Sequence, residues 1–233
     1  MKAELRRFGE SQSPVVVIDD FSGSPERIAE LADALAPFEK AFNFYPGLRR
    51  VLTPEDSGAS AYVEQACQAS AQFVAGAFDV SGFSLLEASF SMVTTQPTEL
   101  RLPQRAPHFD SVNPDYIALL HYLRVPKGTG TSFFRQRSTN IELVTAENVD
   151  LFVETAKRET GRLPANVGYI HGSNQFFEEI GSVEAVPDRM VMYQGSLLHS
   201  GIIPPDMPLS SDPREGRLTA NFFILAQREQ SHA

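Results

Sequence analysis

The stretch that decides the fold is HFDSVNPDYIALLHYLRV, residues 108–125. It opens with His108-Phe109-Asp110 and runs into the apolar segment Tyr116–Val125, which predicts a buried strand. Side chains alternate between two faces in an extended chain, so His108 and Asp110 point the same way. An imidazole nitrogen and a carboxylate oxygen placed side by side can both ligate one metal ion. Since His-x-Asp alone is a common and weak signal, the rest of the chain has to supply a third ligand.

A candidate for the third ligand is His199, at the end of the segment MVMYQGSLLH, residues 190–199. An apolar run that ends in a histidine places that side chain at a strand terminus, near the mouth of a barrel. Two histidines and one carboxylate form a facial triad that leaves three coordination positions open, as an O₂-activating Fe(II) site requires. The sequence therefore predicts an iron site made of His108, Asp110 and His199.

Three further residues suit the binding of a small acid. Arg217 and Thr219 lie two positions apart in a predicted strand and face the same way. A guanidinium beside a hydroxyl can clamp a carboxylate. Tyr122 lies in the strand that follows His-x-Asp, and a phenol inside a barrel needs a polar partner, for which the far carboxylate of an oxoacid would serve.

The remaining pattern predicts an α+β fold in one domain, residues 1–233. A short strand at residues 14–21 precedes a helix that begins at Ser24-Pro25, and a second helix spans Ala59–Phe78. Strand-like runs separated by turn residues then indicate a barrel or sandwich, with a helical insertion at about 138–183. These runs are Leu85–Thr95, Tyr116–Val125, Thr131–Arg135, Arg189–Tyr193 and Arg217–Ala226.

The order of these motifs resembles the prolyl-hydroxylase-like branch of the Fe(II)/2-oxoglutarate dioxygenases. The N-terminal strand and the helix after it are similar to that branch as well. The blocks YIHGS (169–173), FFE (176–178), LHSG (198–201) and LTANFF (218–223) look like an uncharacterised bacterial family of this fold. The motifs in their order are His108-x-Asp110, Tyr122-Leu123, the turn Gly128-Thr129-Gly130-Thr131, His199-Ser200-Gly201 and Gly216-Arg217-x-Thr219.

The resemblance implies a double-stranded β-helix, a jelly-roll or cupin-like barrel, with helices packed outside it. It implies that His108, Asp110 and His199 hold Fe(II). It also implies that Arg217 pairs with the far carboxylate of 2-oxoglutarate, helped by Thr219 and Tyr122, and that O₂ is the second cosubstrate. Related halogenases lack the carboxylate ligand, so Asp110 favours hydroxylation of a C–H bond.

Two departures from that pattern leave questions open. His199 and Arg217 are 18 residues apart, wider than usual, so the residues between them must loop out and Arg214 becomes a rival clamp. Arg214 has Gly216 two positions later and no hydroxyl there, which favours Arg217. Gln96 stands where relatives often carry a cosubstrate-binding tyrosine, and its amide could donate the corresponding hydrogen bond.

Two other functions fit the same residues. A cupin-type metal enzyme that does not use 2-oxoglutarate would form no succinate, although the pair Arg217 and Thr219 argues against it. A non-catalytic sensor of metal or of a small acid would bind 2-oxoglutarate without turnover. Fold analogy alone cannot decide among these functions.

Composition limits the partners. The 233 residues carry a formal charge of −9, which disfavours nucleic acid, although residues 101–137 are locally +4 and could favour an anionic ligand nearby. The chain contains no apolar run of membrane-spanning length, no signal-peptide pattern and one cysteine, Cys67, which together predict a cytoplasmic protein. We expect a small-molecule or peptide substrate selected by residues 138–183 and 202–215, while the outer helices would be available to form a homodimer.

Overall fold

The computed structural model of the protein describes residues 1–42, 44–164 and 168–228. Within this part of the chain, eleven strands form two antiparallel sheets, and three helices accompany them. The strands are β1 (Lys2–Phe8), β2 (Ser13–Asp19), β3 (Glu39–Lys40), β4 (Gly47–Val51), β5 (Gly82–Val93), β6 (Tyr116–Arg124), β7 (Gly130–Gln136), β8 (Phe177–Glu184), β9 (Met190–Gln194), β10 (His199–Ile202) and β11 (Leu218–Gln227). The helices are α1 (Pro25–Ala34), α2 (Ser57–Phe78) and α3 (Val149–Thr160), with 3₁₀ turns at Pro97–Glu99 and Leu102–Arg105.

The larger sheet has the order β1-β2-β9-β6-β11-β5-β4-β3, and the smaller sheet has the order β10-β7-β8. Alternation along each strand assigns its side chains to one of two faces. On β11, Ala220 and Phe222 pack in the core on the helical side of the larger sheet, whereas Thr219 and Phe223 face the other way. The second face packs against the smaller sheet, where Tyr193 of β9 meets Phe133 of β7 at 5.2 Å between ring centroids.

The helical side of the larger sheet is closed by α1 and α2, as the sequence predicts. Helix α2 buries Tyr62 and Ala66 against the sheet, and α1 buries Ile28 and Ala32 in the same core. His121 also faces this side, opposite to its neighbour Tyr122, and is fully buried. Within the described residues, no helix is long and apolar enough to cross a membrane.

Two elements differ from the sequence prediction. β1 was not expected, because its residues are mostly exposed and carry no apolar alternation, yet it pairs with β2 from Lys2 to Phe8. The expected insertion at 138–183 contains the helix α3, but its final residues form β8, which pairs along β7 and completes the smaller sheet. The intervening part therefore lies between two neighbouring strands of that sheet.

Candidate metal centre and its cavity

The three predicted metal ligands lie together at one end of the sandwich. One ligand atom from each of His108, Asp110 and His199 lies within 4.8 Å of the others. His108 Nε2 is 3.8 Å from Asp110 Oδ1, and His199 Nε2 is 3.6 Å from Asp110 Oδ2. Distances of this size leave space for one ion between the three side chains, so the spacing predicted from the sequence is present in the fold.

Backbone pairing sets the position of each ligand. His199 begins β10, and His108 forms an isolated antiparallel bridge with it. The next same-face residue, Asp110, is fixed because its backbone N–H donates to the carbonyl of Gly195 at 2.7 Å. His108 and Asp110 therefore point the same way, as predicted from the sequence, and they lie beside the bend that joins β9 to β10.

Hydrogen bonding and burial prepare these side chains for a cation. His199 Nδ1 lies 2.7 Å from the carbonyl of Leu197, so Nδ1 carries the proton and Nε2 keeps its lone pair toward the cluster. Burial lowers the pKa of His199 to about 4, although the hydrogen bond to the Leu197 carbonyl acts in the opposite direction. Because of this low pKa, the ring is neutral at pH 7. Burial also raises the pKa of Asp110, and its Oδ2 makes no hydrogen bond to any described residue. A cation between these atoms would satisfy this orphaned oxygen.

The cluster opens into a cavity of about 400 Å³ between the two sheets. Its wall on the larger sheet is formed by residues of β4, β6, β9 and β11, and aromatic side chains make up part of its lining. The aromatic residues of this cavity are Phe44, Tyr45, Phe109, Tyr169, Tyr193 and Phe223.

Arg217 is the arginine that reaches this cavity from the loop before β11. Its side chain is buried, its Nε has no hydrogen-bond partner among the described residues, and its guanidinium lies 5.7 Å from the ring centroid of Tyr122. Arg214, the rival clamp, is 64% exposed and forms an ion pair with Asp212 at 3.6 Å. The structure therefore places Arg217, and not Arg214, where a ligand of the cavity could meet it.

Thr219 and Tyr122 differ in their access to the cavity. Thr219 lines it, and its hydroxyl lies 3.1 Å from Asn221 Oδ1. The Tyr122 hydroxyl is buried and bonded to Thr131 Oγ1 at 2.7 Å, so it already has a partner. Burial raises the pKa of this phenol, and Thr131 rather than Tyr122 lines the cavity.

Gln96 lies outside the cavity, contrary to the sequence prediction. The residue is exposed, and Pro97 begins a 3₁₀ turn immediately after it. The turn closes when the Glu99 backbone N–H donates to the Gln96 carbonyl at 2.9 Å. Because the chain leaves the sheet at this point, the Gln96 side chain does not share the inward face of β5.

Sequence reasoning missed several residues that line the cavity, chiefly Arg49 on β4 and Tyr193 on β9. Tyr193 packs edge-on against His199, with ring centroids 4.7 Å apart, and strand alternation places it on the inward face. Arg49 offered no local signal, because β4 has only five residues and its place depends on pairing with β5.

The locally basic segment 101–137 does not supply positive charge to the cavity wall. Arg124 is paired with Asp33 at 2.7 Å, and Arg135 with Glu142 at the same distance. The cationic side chains in the cavity lining are instead Arg49 and Arg217, both outside that segment.

A family model described as a family of unknown function, DUF6445, matches residues 1–224 of the chain. No curated protein matches the sequence. Several solved structures share the fold at low sequence identity. HygX from Streptomyces hygroscopicus, solved with nickel and 2-oxoglutarate bound, is 14% identical with a TM-score of 0.52, over 93% of this chain and 84% of HygX.

Two more structures are similar to a comparable degree. SnoN, a non-haem α-ketoglutarate-dependent epimerase from nogalamycin biosynthesis, is 12% identical with a TM-score of 0.54, over 96% of this chain and 83% of SnoN. AviO1 from Streptomyces viridochromogenes Tue57 is 14% identical with a TM-score of 0.52, over 98% of this chain and 92% of AviO1. The resemblance to the Fe(II)/2-oxoglutarate superfamily that the sequence indicated is thus confirmed at the level of the fold.

Proposed function

The chain belongs to DUF6445, a family of unknown function, and we propose that it is an Fe(II)- and 2-oxoglutarate-dependent oxygenase. The observation that carries this proposal is the convergence of His108, Asp110 and His199 within 4.8 Å, in the same cavity as the buried guanidinium of Arg217. In our proposal the two sheets form the double-stranded β-helix of that superfamily. The reaction would hydroxylate a C–H bond of a substrate still to be identified.

The residues present fit the proposed metal and cosubstrate. Two neutral imidazoles and one carboxylate are the donor set of non-haem iron oxygenases, and Asp110 Oδ2 is buried with no hydrogen-bond partner in the part of the chain that the structure describes. The Nε of Arg217, which has no hydrogen-bond partner within residues 1–42, 44–164 and 168–228, is a second group that an acid would satisfy. Bound iron would supply the oxidation of the substrate by O₂, with 2-oxoglutarate as the source of electrons.

The chain's own contribution is positioning and charge. Arg217 would bind the far carboxylate of 2-oxoglutarate through charge-assisted hydrogen bonds, and Thr219 would add its hydroxyl. Tyr122 would support Arg217 through its ring face and hold Thr131 at the cavity wall. Gln96 has no part in this proposal because it lies outside the cavity.

Hydroxylation is the outcome that the ligand set favours. If the carboxylate of Asp110 were missing, the metal would have one more open coordination position. Because Asp110 is present, that position is filled. The structure of SnoN, described as an epimerase, shows that the same fold is also associated with a different outcome. Product analysis therefore has to follow the test of cofactor binding.

The deciding experiment is an anaerobic titration of the Fe(II)-loaded protein with 2-oxoglutarate, monitored through the visible charge-transfer band of the iron chelate. We expect the band in the wild type, its loss in His199→Ala, and a shift to higher cosubstrate concentration in Arg217→Ala. His171→Ala and Arg214→Ala are matched controls, because both residues are exposed and lie outside the cavity lining. Both controls should titrate like the wild type.

Each alternative function gives a different result. Iron binding without a charge-transfer band would contradict the use of 2-oxoglutarate and support a cupin-type metal enzyme. A band that forms without any succinate release on exposure to O₂ would support a sensor. Absence of iron binding would overturn the proposed function and leave an enzyme that uses another metal or a sensor of a small acid.

We further propose that the protein acts in the cytoplasm on a small molecule or on a side chain of a peptide, and not on nucleic acid or at a membrane. A cavity of about 400 Å³ suits a cosubstrate together with one small substrate group. The formal charge of −9 disfavours a phosphate backbone. Formation of a homodimer through the outer helices is testable by light scattering.

A further inference from the structure

The inner face of the larger sheet carries a polar network beside the metal centre. Ser89 and Ser91 on β5 and Thr219 and Asn221 on β11 face inward, although their neighbours on the same face include Val93 and Phe223. Ser89 and Ser91 are 1% and 0% exposed. Buried polar groups in an apolar wall cost free energy unless they are hydrogen-bonded, so such a network calls for an explanation.

Arg49 is the charged member of this network. Its Nη2 is 2.7 Å from Ser89 Oγ and also contacts the Glu87 carboxylate, while its Nε is 3.4 Å from Ser91 Oγ. The side chain is only 12% exposed and lines the cavity. Its Nη1 makes no hydrogen bond to any described residue. The guanidinium is thus held through Nε and Nη2, and Nη1 is left for a ligand of the cavity that Arg49 lines.

Arg49 and Arg217 lie over different aromatic rings of the larger sheet. Arg217 lies over Tyr122, whereas the Arg49 guanidinium lies 5.8 Å from the Phe223 ring centroid, further along β11. Thr219 pairs with Tyr122, and Phe223 lies four residues later on β11, so the two rings are attached at backbone positions roughly 13 Å apart along the strand. The backbone of Arg49 is level with Thr219 through Ser91, and its guanidinium extends from there toward Phe223. In the proposed function the cosubstrate engages Arg217 and Thr219, which leaves Arg49 available.

The position of Arg49 relative to the metal ligands matters as well. The ring of Phe223 packs on Tyr116, with centroids 5.5 Å apart, and Tyr116 and Asp110 both adjoin Gly195. Arg49 thus lies on the Asp110 side of the cluster, away from the proposed cosubstrate clamp. A group bound there would lie beside the metal centre.

We propose that Arg49 binds a carboxylate of the substrate, which makes the substrate a small molecule or residue with a free carboxyl group. This inference rests on the proposed function. The charges of Fe(II), Asp110, doubly charged 2-oxoglutarate and Arg217 sum to zero, so the cofactors do not need the Arg49 guanidinium as a counter-ion. Glu87 pairs with Arg49 Nη2 and offsets part of its charge, while Nη1 has no partner among the described residues. An arginine whose charge is partly offset by Glu87, and whose other neighbours are neutral hydroxyls and an amide, suits a singly charged carboxylate better than a doubly charged phosphate.

The test uses protein loaded with Zn(II) and saturating 2-oxoglutarate, and measures binding of simple acids by ligand-observed NMR. The probes are acetate, propionate, benzoate and phenylacetate, each paired with its neutral amide. We expect at least one acid to bind about tenfold more tightly than its amide, because a charge-assisted hydrogen bond discriminates by that amount. Arg49→Met should abolish the discrimination, and Arg49→Lys should keep part of it. Phenyl phosphate should not bind better than benzoate.

Arg50→Met is the matched control, because Arg50 is the next residue on β4, pairs with Asp56 at 2.7 Å and does not line the cavity. It should keep the discrimination between acid and amide. Thermal unfolding of each variant shows whether it folds, and Arg49→Lys provides the readout if Arg49→Met does not.

The outcomes separate the two proposals. The carboxylate site would be overturned if the wild type bound 2-oxoglutarate normally but bound acids and amides with equal affinity. It would also be overturned if Arg49→Met still preferred acids over amides. Either result would leave the proposed function standing. Loss of 2-oxoglutarate affinity in Arg49→Met as large as in Arg217→Met would assign Arg49 to the cosubstrate and also overturn it. Failure of the wild type to bind 2-oxoglutarate would overturn both proposals.

Discussion

His108 and His199 are joined by a reciprocal pair of backbone hydrogen bonds, with His108 N donating to His199 O at 2.9 Å and His199 N donating to His108 O at 2.8 Å. Their rings are tilted by 53° relative to each other, with centroids 4.3 Å apart. The bridge joins the segment before β6 to the start of β10, so two ligands distant in sequence share one rigid backbone unit. Ligand spacing is therefore set by main-chain pairing before any metal binds.

The first prediction concerns the loss of a ligand from this unit. His199→Ala should lower affinity for Fe(II) or Co(II) by more than the roughly 10- to 100-fold that is typical of lost outer partners, because a direct ligand disappears. Isothermal titration under anaerobic conditions measures the effect. His171→Ala, which removes an exposed histidine, should bind metal like the wild type. Equal affinities in the two variants would contradict the assignment of His199.

The second prediction separates the two effects of Arg217. In Arg217→Met the 2-oxoglutarate dissociation constant should rise roughly 10- to 100-fold, since a charge-assisted hydrogen bond contributes about 1.5–3 kcal/mol. Without ligand, the same variant should unfold at an equal or higher temperature, because its buried Nε has no partner among the described residues. Arg214→Met should change neither quantity. A fall in the unfolding temperature of the free protein would show that Arg217 has a structural partner.

Local alternation explains why much of the centre was predictable. His108, Asp110, Arg217 and Thr219 were placed from spacing within single extended segments, a property that the sequence carries directly. The choice of Arg217 over Arg214 followed from the same rule, because only Arg217 has a hydroxyl two residues later. These positions need no knowledge of which strands become neighbours.

Residues whose position depends on long-range pairing could not be found in this way. Arg49 is in register with Ser91 across β4 and β5, and Ser91 is in register with Thr219, so its place follows from two strand pairings. β1 escaped notice because an exposed edge strand has no apolar alternation. The sequence predicted Gln96 in the cosubstrate site, but the 3₁₀ turn that begins at Pro97 takes the chain out of the sheet, and the direction of such a turn cannot be predicted from sequence.

The third prediction concerns acid stability, which depends on a buried network on the helical side of the sheet. His121 Nε2 lies 3.0 Å from Asp188 Oδ1, and His121 Nδ1 accepts from the Tyr62 hydroxyl at 2.8 Å. The backbone N–H groups of Ser22 and Gly23 also donate to this carboxylate. Burial by itself raises the pKa of Asp188, but the hydrogen bonds outweigh it and lower the pKa to about 2.

Because the folded pKa of Asp188 lies below the unfolded value, its contribution to stability is complete above about pH 4 and is lost as pH falls toward 2. Its size is about 2 kcal/mol. The difference in unfolding free energy between wild type and Asp188→Asn should therefore shrink over that window, as measured by urea unfolding and circular dichroism. Asp206→Asn, in an exposed loop, is the control for loss of one carboxylate. A difference that is constant from pH 6 to pH 2 would refute the assignment.

The fourth prediction tests whether the bend at Gly195 positions Asp110. A Cβ at residue 195 would lie 2.5 Å from the Tyr116 ring and 3.2 Å from Asp110 Cβ, so a substituent there must displace one of them. Gly195→Ala should lower metal affinity by roughly tenfold, as expected when the support of a ligand is disturbed. The Gly195 carbonyl that receives the Asp110 N–H would move with it.

Gly76→Ala is the control, because it makes the same chemical change at a position where it should leave metal affinity unchanged. Gly76 lies within α2, where an added Cβ meets no atom within 4 Å, so alanine should stabilise the helix by about 0.5–1 kcal/mol. Metal affinity in Gly76→Ala should equal that of the wild type. If Gly195→Ala also binds metal like the wild type while remaining folded, the carboxylate is held by other contacts, and the backbone bond to residue 195 is not what orients it.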